Sequence, residues 1–416
     1  MHRVVMIGFG RMLLTQLDSF LPPKSVVVLE DPDVARRRDV ESVTDLACLA
    51  EVRLARYHQQ LECVDVAVEA LGDEPVQAVL PGVEYAVVGA AALADRWGLP
   101  GASPAAAALL TDKLRLRGAA QAGGLRNPEW IQVHSVGDVR DFAAGGPVVL
   151  KPANRHASLG VQLLGPDDDL AAAWETTVGA RDAMMLPDHD LDWRYLAERI
   201  VVGHEYSVEA LVQKGTVRFA NVTDKLTAGG RYPVELGHVV PAALPLARQE
   251  SLREATARLV DAVGFGDGIL HAEWMVDDEP EPVLIECAAR IPGDSIVDLI
   301  DLSYGFRLVR AMTSILSGLE PELPDRAHRA STIRFLSAPA GRVTAVTGLE
   351  EARAVRGVVG VTTSVALGDS VGALRSSWDR VGHVIATGPD PQAAAERATT
   401  AAERVAVVTA PDNGAA

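Results

Sequence analysis

The fold of this chain is decided by Ile269-Leu-His-Ala-Glu-Trp-Met-Val276, the polar residues 277–282, and Val283-Leu-Ile-Glu-Cys-Ala-Ala-Arg290. Two apolar-rich runs on either side of a short, proline-containing turn predict a β-hairpin. Symmetric pairing about this turn places Glu273 directly opposite Glu286, because the register of a hairpin follows from its turn.

The two faces of this hairpin differ in character, since side chains alternate between faces along a strand. We expect one apolar face made of Leu270, Ala272, Trp274, Ile285 and Cys287. Glu273, Glu286 and Arg290 share the other face. Like charges facing each other across a ladder are destabilising. A divalent cation between them reverses that effect, and Mg²⁺ binds one or two carboxylates together with nucleotide phosphates. The hairpin predicts a Mg-nucleotide platform; the alternative is a solvated sheet face.

Composition limits the class of protein. The chain has 416 residues, enough for two to four domains, and a net charge of -17. An acidic surface repels polyanions, which argues against nucleic-acid binding and favours a small-molecule substrate. The three scattered cysteines indicate buried thiols in a reducing cytoplasm. Neither a signal peptide nor an apolar run of about 20 residues is apparent, so we expect a cytoplasmic protein without membrane contact.

Residues 1–105 alternate short apolar runs with helical stretches, a pattern typical of an open parallel sheet covered by helices. The first turn, Gly8-Phe-Gly10, half matches a dinucleotide-binding fingerprint, and Glu30 follows where a ribose-binding acid could lie. The third glycine is missing. An NAD(P)-binding oxidoreductase is therefore one alternative.

The next region contains two lysines in informative positions. Lys113 opens an alanine-rich helix, and Lys151 ends a strand. The loop after Lys151 ends with Ser158 and Gly160, and glycine lets backbone N–H groups approach a phosphate closely. Lys151 could reach the same anion.

From Tyr195 the sequence becomes rich in strands. By a period of two, Glu205, Ser207 and Glu209 share one face, which predicts a wet surface that can line a cleft. One helix is expected over about residues 295–316. After a proline-rich linker at 321–329 we expect a small antiparallel module with one closing helix and disordered final residues.

The order of these motifs resembles the ATP-grasp superfamily of carboxylate-amine ligases, over about residues 1–320. The resemblance implies an α/β (α+β) ATP-grasp fold. Its parts would be a Rossmann-like open parallel domain (1–105), a first ATP-grasp part with a small lid subdomain and phosphate loop (106–198), a second part with a large antiparallel sheet (199–325), and a β-rich C-terminal module (326–416).

The same resemblance implies site residues for ATP and Mg²⁺, with Mn²⁺ as a substitute. The nucleotide set is Lys113 and Lys151 on the phosphates, Ser158, Leu159 and Gly160 in the mobile loop, Glu198 and Val201 at adenine, and Glu205 at ribose. Glu273 and Glu286 would hold the metal. The family commonly has asparagine two residues after the second glutamate, where this chain has Ala288. The number of metal ions is therefore left open.

Within the superfamily the chain is most similar to bacterial L-amino-acid ligases, on Glu235-Leu-Gly-His238 and Arg290-Ile-Pro-Gly293-Asp294. The likeness places these residues at the amino-acid site, with Arg290 on the substrate carboxylate and on the phosphorylated intermediate. A purely structural His238 is the alternative. Gly368-Asp-Ser-Val and Arg380-Val-Gly-His383 also resemble the C-terminal module of this group.

The resemblance implies an ATP-dependent ligase that forms an amide, as in a dipeptide, through an acyl phosphate, and releases ADP and phosphate. Arg290, His238, Glu235 and Lys151 would be its catalytic residues. The expected partners are a small carboxylate and an amine, both amino acids, and a homodimer is the default assembly. The alternatives are an ATP-grasp ligase for a non-amino-acid carboxylate, the oxidoreductase, and a non-catalytic nucleotide sensor.

Overall fold

The computed structural model of the protein describes residues 3–72 and 74–411. It begins with a parallel sheet in the order β3-β2-β1-β4. The strands are β1 (Arg3–Ile7), β2 (Val26–Glu30), β3 (Leu49–Leu54) and β4 (Val76–Pro81), and the helices are α1 (Arg11–Asp18), α2 (Pro32–Arg38), α3 (Glu62–Leu71) and α4 (Val87–Trp97). Val4 and Met6 pack into one core with α1, whereas Val5 and Ile7 pack into another with α3 and α4. The sheet is thus buried on both faces, as parallel sheets are.

The glycine turn after β1 serves close packing. A Cβ on Gly10 would lie 2.2 Å from the carbonyl oxygen of Gly82, so the two βα turns touch backbone to backbone.

Glu30 is fully buried and accepts hydrogen bonds of 2.7 Å from the Phe9 amide, the Asp31 amide and the Tyr57 hydroxyl. Both oxygens of this fully buried carboxylate already accept hydrogen bonds within the protein, which argues against a role in ribose binding and weakens the dinucleotide hypothesis.

A helical connection and a small lid follow. The connection is α5 (Pro104–Leu110) and α6 (Lys113–Ala122), and the Asp112 side chain caps α6 by accepting from the Leu114 amide. The lid comprises β5 (Trp130–Val133), α7 (Val136–Ala143), β6 (Val148–Pro152), β7 (Gln162–Leu164), α8 (Leu170–Gly179) and β8 (Tyr195–Arg199). Its antiparallel sheet has the order β5-β8-β6-β7 and its own core.

A large antiparallel sheet forms the centre of the molecule. Its first elements are β9 (His204–Gln213), β10 (Thr216–Thr227), β11 (Glu235–Val240), α9 (Leu246–Val263), β12 (Gly268–Val276) and β13 (Val283–Ala288). The tight turn between β9 and β10 has Lys214 at φ 52° and Gly215 at φ 73°. Two left-handed residues in succession give the twist that a tight hairpin requires.

The decisive hairpin has the predicted pairing, with one irregularity. Glu273 lies opposite Glu286, but Trp274 then pairs with Leu284, so a β-bulge leaves Ile285 without a partner in the register. Leu284, not Ile285, therefore joins Trp274 in the buried core. The expectation that Ile285 belongs to the apolar face was wrong, because an extra residue in one strand reverses the facing of the residues beyond it.

The helical segment after the hairpin is split into α10 (Ile296–Tyr304) and α11 (Leu308–Leu316). The prediction of one continuous helix was wrong. Gly305 adopts φ 72° and ends α10, and the Leu308 amide then bonds to Asp301 Oδ1 at 2.8 Å. Glycine ends helices in this way because it adopts the left-handed conformation without strain.

The C-terminal region extends the large sheet. Its elements are β14 (Ala330–Leu336), β15 (Gly341–Thr347), α12 (Leu349–Arg353), β16 (Val358–Thr363), β17 (Ser370–Val371), β18 (Gly382–Gly388), α13 (Pro391–Ala402) and β19 (Ala406–Ala410). The full order is β13-β12-β9-β10-β11-β14-β18-β16, beside a small β17-β15-β19 sheet. Hydrogen bonding between β11 and β14 crosses the boundary drawn at residue 326, and the four-part division stays a prediction. The expected disorder concerns residues outside the described ranges.

Two further expectations concern the environment of the chain. Cys48, Cys63 and Cys287 are free and buried, and burial raises the pKa of the Cys48 and Cys63 thiols to about 12. Thiols of this kind are poor nucleophiles near neutral pH. None of the helices in the described ranges is long and apolar enough to cross a membrane.

Candidate active site

Two adjoining cavities lie above the decisive hairpin. The lid cavity lies between the lid and the large sheet and is lined by Lys113, Lys151, Glu198, Val201 and Glu205, among others. The central cavity lies between the parallel domain, the large sheet and the C-terminal region, with His238, Arg290, Gly293, Asp294 and Arg380 in its wall. Both cavities share His156, Ser158, Glu235, Glu273 and Glu286. The glutamate pair therefore stands where they meet.

Most of the sequence-predicted residues divide between the two cavities, and Ser158 and Glu235 border both. Those predicted for the nucleotide line the lid cavity, namely Lys113, Lys151, Ser158, Leu159, Glu198, Val201 and Glu205. Gly160 lies behind this wall at φ 77°, where a Cβ would approach Ala180 Cβ to 3.1 Å. Those predicted for the amino-acid site line the central cavity, namely Glu235, His238, Arg290, Gly293 and Asp294.

A buried ion cluster stands at the inner end of the lid cavity. Glu198 accepts from Arg117 Nε at 2.7 Å and contacts Lys151 Nζ at 2.6 Å. Burial by itself raises the pKa of Glu198, but Arg117 and Lys151 outweigh it and lower the pKa to about 2. Burial lowers the pKa of Lys151, and Glu198 opposes that effect. Two cations against one carboxylate leave a positive charge here, which suits an anionic ligand.

Part of the wall of the lid cavity is apolar, with side chains contributed from both sides. Its walls include Val149, Val161, Leu163, Ile200, Met275 and Ile285. The first three belong to the lid, Ile200 follows its last strand, and the last two belong to the decisive hairpin. An apolar slot between two sheets suits a flat, weakly polar ring. Because of the bulge, the Ile285 side chain lies in the wall of this cavity and not on the buried face of the hairpin.

Where the two cavities meet, several carboxylates form a network around the side chains of Lys225 and His271. Lys225 Nζ contacts Glu273 Oε1 at 2.6 Å, Glu235 at 3.7 Å, and Glu205. His271 lies 3.0 Å from Glu209 and 3.4 Å from Glu273. Burial opposes protonation of His271, but these two carboxylates outweigh it and raise its pKa to about 9.

The charges of this wall fit a divalent cation. Lys113 Nζ lies 2.9 Å from Glu286 Oε1. Around this point the carboxyl groups of Glu205, Glu209, Glu235, Glu273 and Glu286 outnumber the basic side chains of Lys113, Lys225 and His271, so the wall is rich in acidic groups. Within residues 3–72 and 74–411 no group of three His, Cys, Asp or Glu side chains forms a complete metal site. Mg²⁺ commonly takes one or two carboxylates from a protein and its other ligands from phosphate and water, so two opposed glutamates are compatible with this ion.

The face of β9 that carries Glu205 is polar, but most of it is buried. Ser207 and Glu209 are fully buried, and Glu209 accepts from Ser207, Asn221 and Thr223 at 2.6–2.9 Å. The expectation of a wet face was wrong beyond Glu205. Hydrogen bonds inside the sheet replace water, as buried polar groups require.

In the central cavity the predicted residues are held by partners from other parts of the chain. Arg290 Nε contacts Glu84 Oε2 at 2.6 Å, and Glu84 belongs to the short helix Glu84–Ala86 of the parallel domain. Glu235 accepts from Ser377 Oγ at 2.9 Å. A Cβ on Gly293 would meet no atom within 4 Å, so this glycine borders open space.

His238 and Asp294 form a third pair in this cavity. His238 Nε2 lies 3.1 Å from Asp294 Oδ2, and Asp294 accepts from Arg380 Nη1 at 2.9 Å and Nη2 at 2.6 Å. Burial opposes ionisation of Asp294, but His238 and Arg380 hold its pKa well below the usual value.

Several side chains of the site were not predicted from the sequence: Glu84, Lys225, His271, Ser377 and Arg380. Lys225 lies opposite His238 in the β10–β11 register, a relation that only sheet pairing reveals. Arg380 begins the C-terminal motif Arg380-Val-Gly-His383, but its neighbours in space could not be inferred from that motif.

Residues 144–298 match the family described as ATP-grasp domain. This segment of the chain is thus an ATP-grasp domain by similarity. Residues 334–410 match the L-amino acid ligase C-terminal domain 2. Both matches confirm the resemblance drawn from the motifs, and the ATP-grasp fold class with it.

The individual proteins that this chain resembles are distant from it in sequence. The uncharacterized protein y4rH of Sinorhizobium fredii is 27% identical over 319 residues, which cover 74% of this chain and 63% of y4rH. The alanine–anticapsin ligase of Bacillus subtilis strain 168 is 24% identical over 322 residues, covering 72% and 66%. The match thus spans less than two thirds of either relative. A crystal structure of an L-amino acid ligase from Bacillus licheniformis has the same fold, with a TM-score of 0.82, 19% identity and 99% coverage of both chains.

Proposed function

We propose that this protein is an ATP-dependent carboxylate-amine ligase that joins two amino acids through an acyl phosphate and releases ADP and phosphate. One observation carries the proposal: a cavity suited to a nucleotide and a cavity suited to a small polar substrate meet at Glu273 and Glu286. Phosphoryl transfer between two ligands requires their reacting groups to meet at one point.

The lid cavity supplies the nucleotide side of the proposal. The apolar slot would take the base, Glu205 the ribose hydroxyls, and Lys113 and Lys151 the phosphates. Glu273 and Glu286 would hold Mg²⁺, which neutralises charge as the phosphoryl group moves. Lys113 already contacts Glu286, so the lysine stands close to the proposed metal position.

The central cavity would hold the substrate whose carboxylate is activated. A carboxylate oxygen of the first substrate, oriented by Arg290, would attack the terminal phosphorus of ATP. The new O–P bond forms as the bond to ADP breaks. The loop that contains Ser158 borders both cavities, so its closure would keep water from the activated acyl group.

The second step forms the amide. The nitrogen lone pair of the second substrate attacks the acyl carbon, and phosphate leaves with the electrons of the broken C–O bond. The nitrogen must lose a proton, for which Glu235 and His238 are the candidates in the cavity wall. The name of the Bacillus subtilis relative, alanine–anticapsin ligase, supports a ligase with an amino-acid substrate.

The test is ATP turnover with Mg²⁺ against single amino acids, pairs of amino acids, and carboxylates that are not amino acids. We expect ADP and phosphate in equal amounts, only when an acid and an amine are present, with the amide identified by mass spectrometry. Release of AMP and pyrophosphate would overturn the mechanism. Turnover with non-amino-acid carboxylates alone would favour the alternative ligase, and ATP binding without turnover would favour the sensor.

A further inference from the structure

Arg380 enters the central cavity from the C-terminal region and is fixed on three sides. Its two terminal nitrogens bind both oxygens of Asp294. Its Nε donates to the Ser377 carbonyl at 2.8 Å. Its guanidinium lies 3.7 Å above the centroid of the Phe335 ring. A bidentate pair with a stacked guanidinium has one geometry, which lysine cannot reproduce.

The fixed position of Asp294 in turn determines which nitrogen of His238 carries the proton. An ionised carboxylate only accepts hydrogen bonds, so the contact between Asp294 Oδ2 and His238 Nε2 requires a proton on Nε2. In the neutral imidazole the lone pair then stands on Nδ1. That atom is buried and has no hydrogen-bond partner among the described residues. The ring of His238, a residue that lines the central cavity, thus has an acceptor atom without a partner.

The backbone conformation at Asp294 also indicates that its surroundings fix its position. Asp294 and Ser295 both adopt φ 56°, a left-handed conformation that costs residues other than glycine energy. Consecutive outliers persist only where the surroundings determine them, and they concentrate at functional sites. Here the bidentate ion pair with Arg380 is the interaction that holds Asp294.

We propose that Arg380 and Asp294 are positioning residues that keep His238 in the Nε2–H tautomer, so that Nδ1 accepts the proton of the attacking amine. This inference rests on the proposed ligase function. In the step, the amine nitrogen bonds to the acyl carbon, the C–O bond to phosphate breaks, and the N–H proton moves to Nδ1. The C-terminal region would thereby take part in amide formation without touching the nucleotide.

The proposed role of the three residues concerns the second step, because a carboxylate needs no base to attack phosphorus, whereas an amine must lose a proton. His238, Asp294 and Arg380 line the central cavity and are not part of the wall of the lid cavity. Phosphoryl transfer should therefore not depend on them. Hydroxylamine separates the steps, because it is mostly unprotonated at neutral pH and traps acyl phosphates as hydroxamates without needing a base.

The kinetic test compares Arg380→Gln, Arg380→Lys and Asp294→Asn with the unaltered protein. We expect hydroxamate formation to stay within about two-fold and amide formation to fall about 10²-fold, the usual worth of a general base. The rate of amide formation by Arg380→Lys should lie between the rates of Arg380→Gln and the unaltered protein. The control is Arg353→Gln, a half-exposed arginine of α12 in the same C-terminal region, which should change neither product. An equal fall in both products, or no fall in amide formation, would overturn the inference.

A second measurement does not depend on turnover. Imidazole ¹⁵N NMR of the ligand-free protein, assigned through His238→Gln, should show His238 as the Nε2–H tautomer. In Asp294→Asn the signal should change to a mixture of tautomers. An Nδ1–H tautomer in the unaltered protein would overturn the inference. If the unaltered protein forms neither ADP nor hydroxamate with any carboxylate, the proposed ligase function fails, and the NMR result still decides the tautomer.

Discussion

Glu273 and Glu286 lie directly opposite each other on β12 and β13, yet each carboxylate contacts a different lysine. Lys225 of β10 contacts Glu273 at 2.6 Å, and Lys113 at the start of α6 contacts Glu286 at 2.9 Å. Two like charges on adjacent strands repel each other. Cations from two distant parts of the chain offset that repulsion and leave the pair facing both cavities.

Replacing Glu286 with Gln should abolish turnover without unfolding the protein. We expect ATP turnover to fall by at least about 10²-fold, since a metal ligand contributes several kcal/mol to the transition state. The free energy of unfolding should change by about 1 kcal/mol or less, because the side chain is partly exposed. ADP release and urea unfolding measure the two effects. Glu281→Gln, in the turn of the same hairpin, is the control. Full turnover in Glu286→Gln would contradict the metal assignment.

The bulge predicts opposite effects for two adjacent residues. Leu284→Ala should lower the free energy of unfolding by about 2–5 kcal/mol, because it empties a buried core position. Ile285→Ala should cost less stability and instead raise the KM for ATP, because Ile285 lines the lid cavity. Urea unfolding and ATP kinetics of both variants make the comparison. The reverse pattern would show that the register after Glu273 is different.

Glu198 should make the folded state sensitive to acid. Its folded pKa of about 2 lies below the ordinary value of 4.5, so its stabilisation is complete above pH 4.5 and disappears as pH falls toward 2. The pH-dependent part is on the order of 3 kcal/mol. In Glu198→Gln that part should be missing, and the protein should be less stable at pH 7 because Lys151 and Arg117 lose their partner. Urea unfolding at pH 5, 4 and 3 measures both effects, with the exposed Glu403→Gln as control. Parallel curves for the unaltered protein and Glu198→Gln would refute the prediction.

Nucleotide and metal should stabilise the protein together. At a ligand concentration about 100 times Kd, binding adds about 2.7 kcal/mol to the folded state. We expect ADP with Mg²⁺ to raise Tm more than ADP alone, and Glu273→Gln to lose the Mg²⁺-dependent part. NADH should leave Tm unchanged, because the Glu30 carboxylate is occupied by Phe9, Asp31 and Tyr57. A shift with NADH in place of ADP would favour the oxidoreductase.

Much of the fold could be predicted because its signals are local. The period-two runs and the turn between them predicted that Glu273 pairs with Glu286, and a helix was correctly expected to begin at Lys113. The bulge at Ile285 could not be predicted in the same way. A one-residue shift leaves the composition of both strands unchanged, so the local sequence does not distinguish the two registers.

The amino-acid sequence by itself determined which elements form, in what order, and that two carboxylates share one face of a hairpin, because backbone period and turn chemistry act over a few residues. Only the tertiary structure decided which cations hold those carboxylates and that Arg380 reaches Asp294, 86 positions away along the chain. Contacts at such separations depend on how sheets and loops pack against each other. Packing of this kind is a property of the whole folded chain, so no short stretch of residues encodes it.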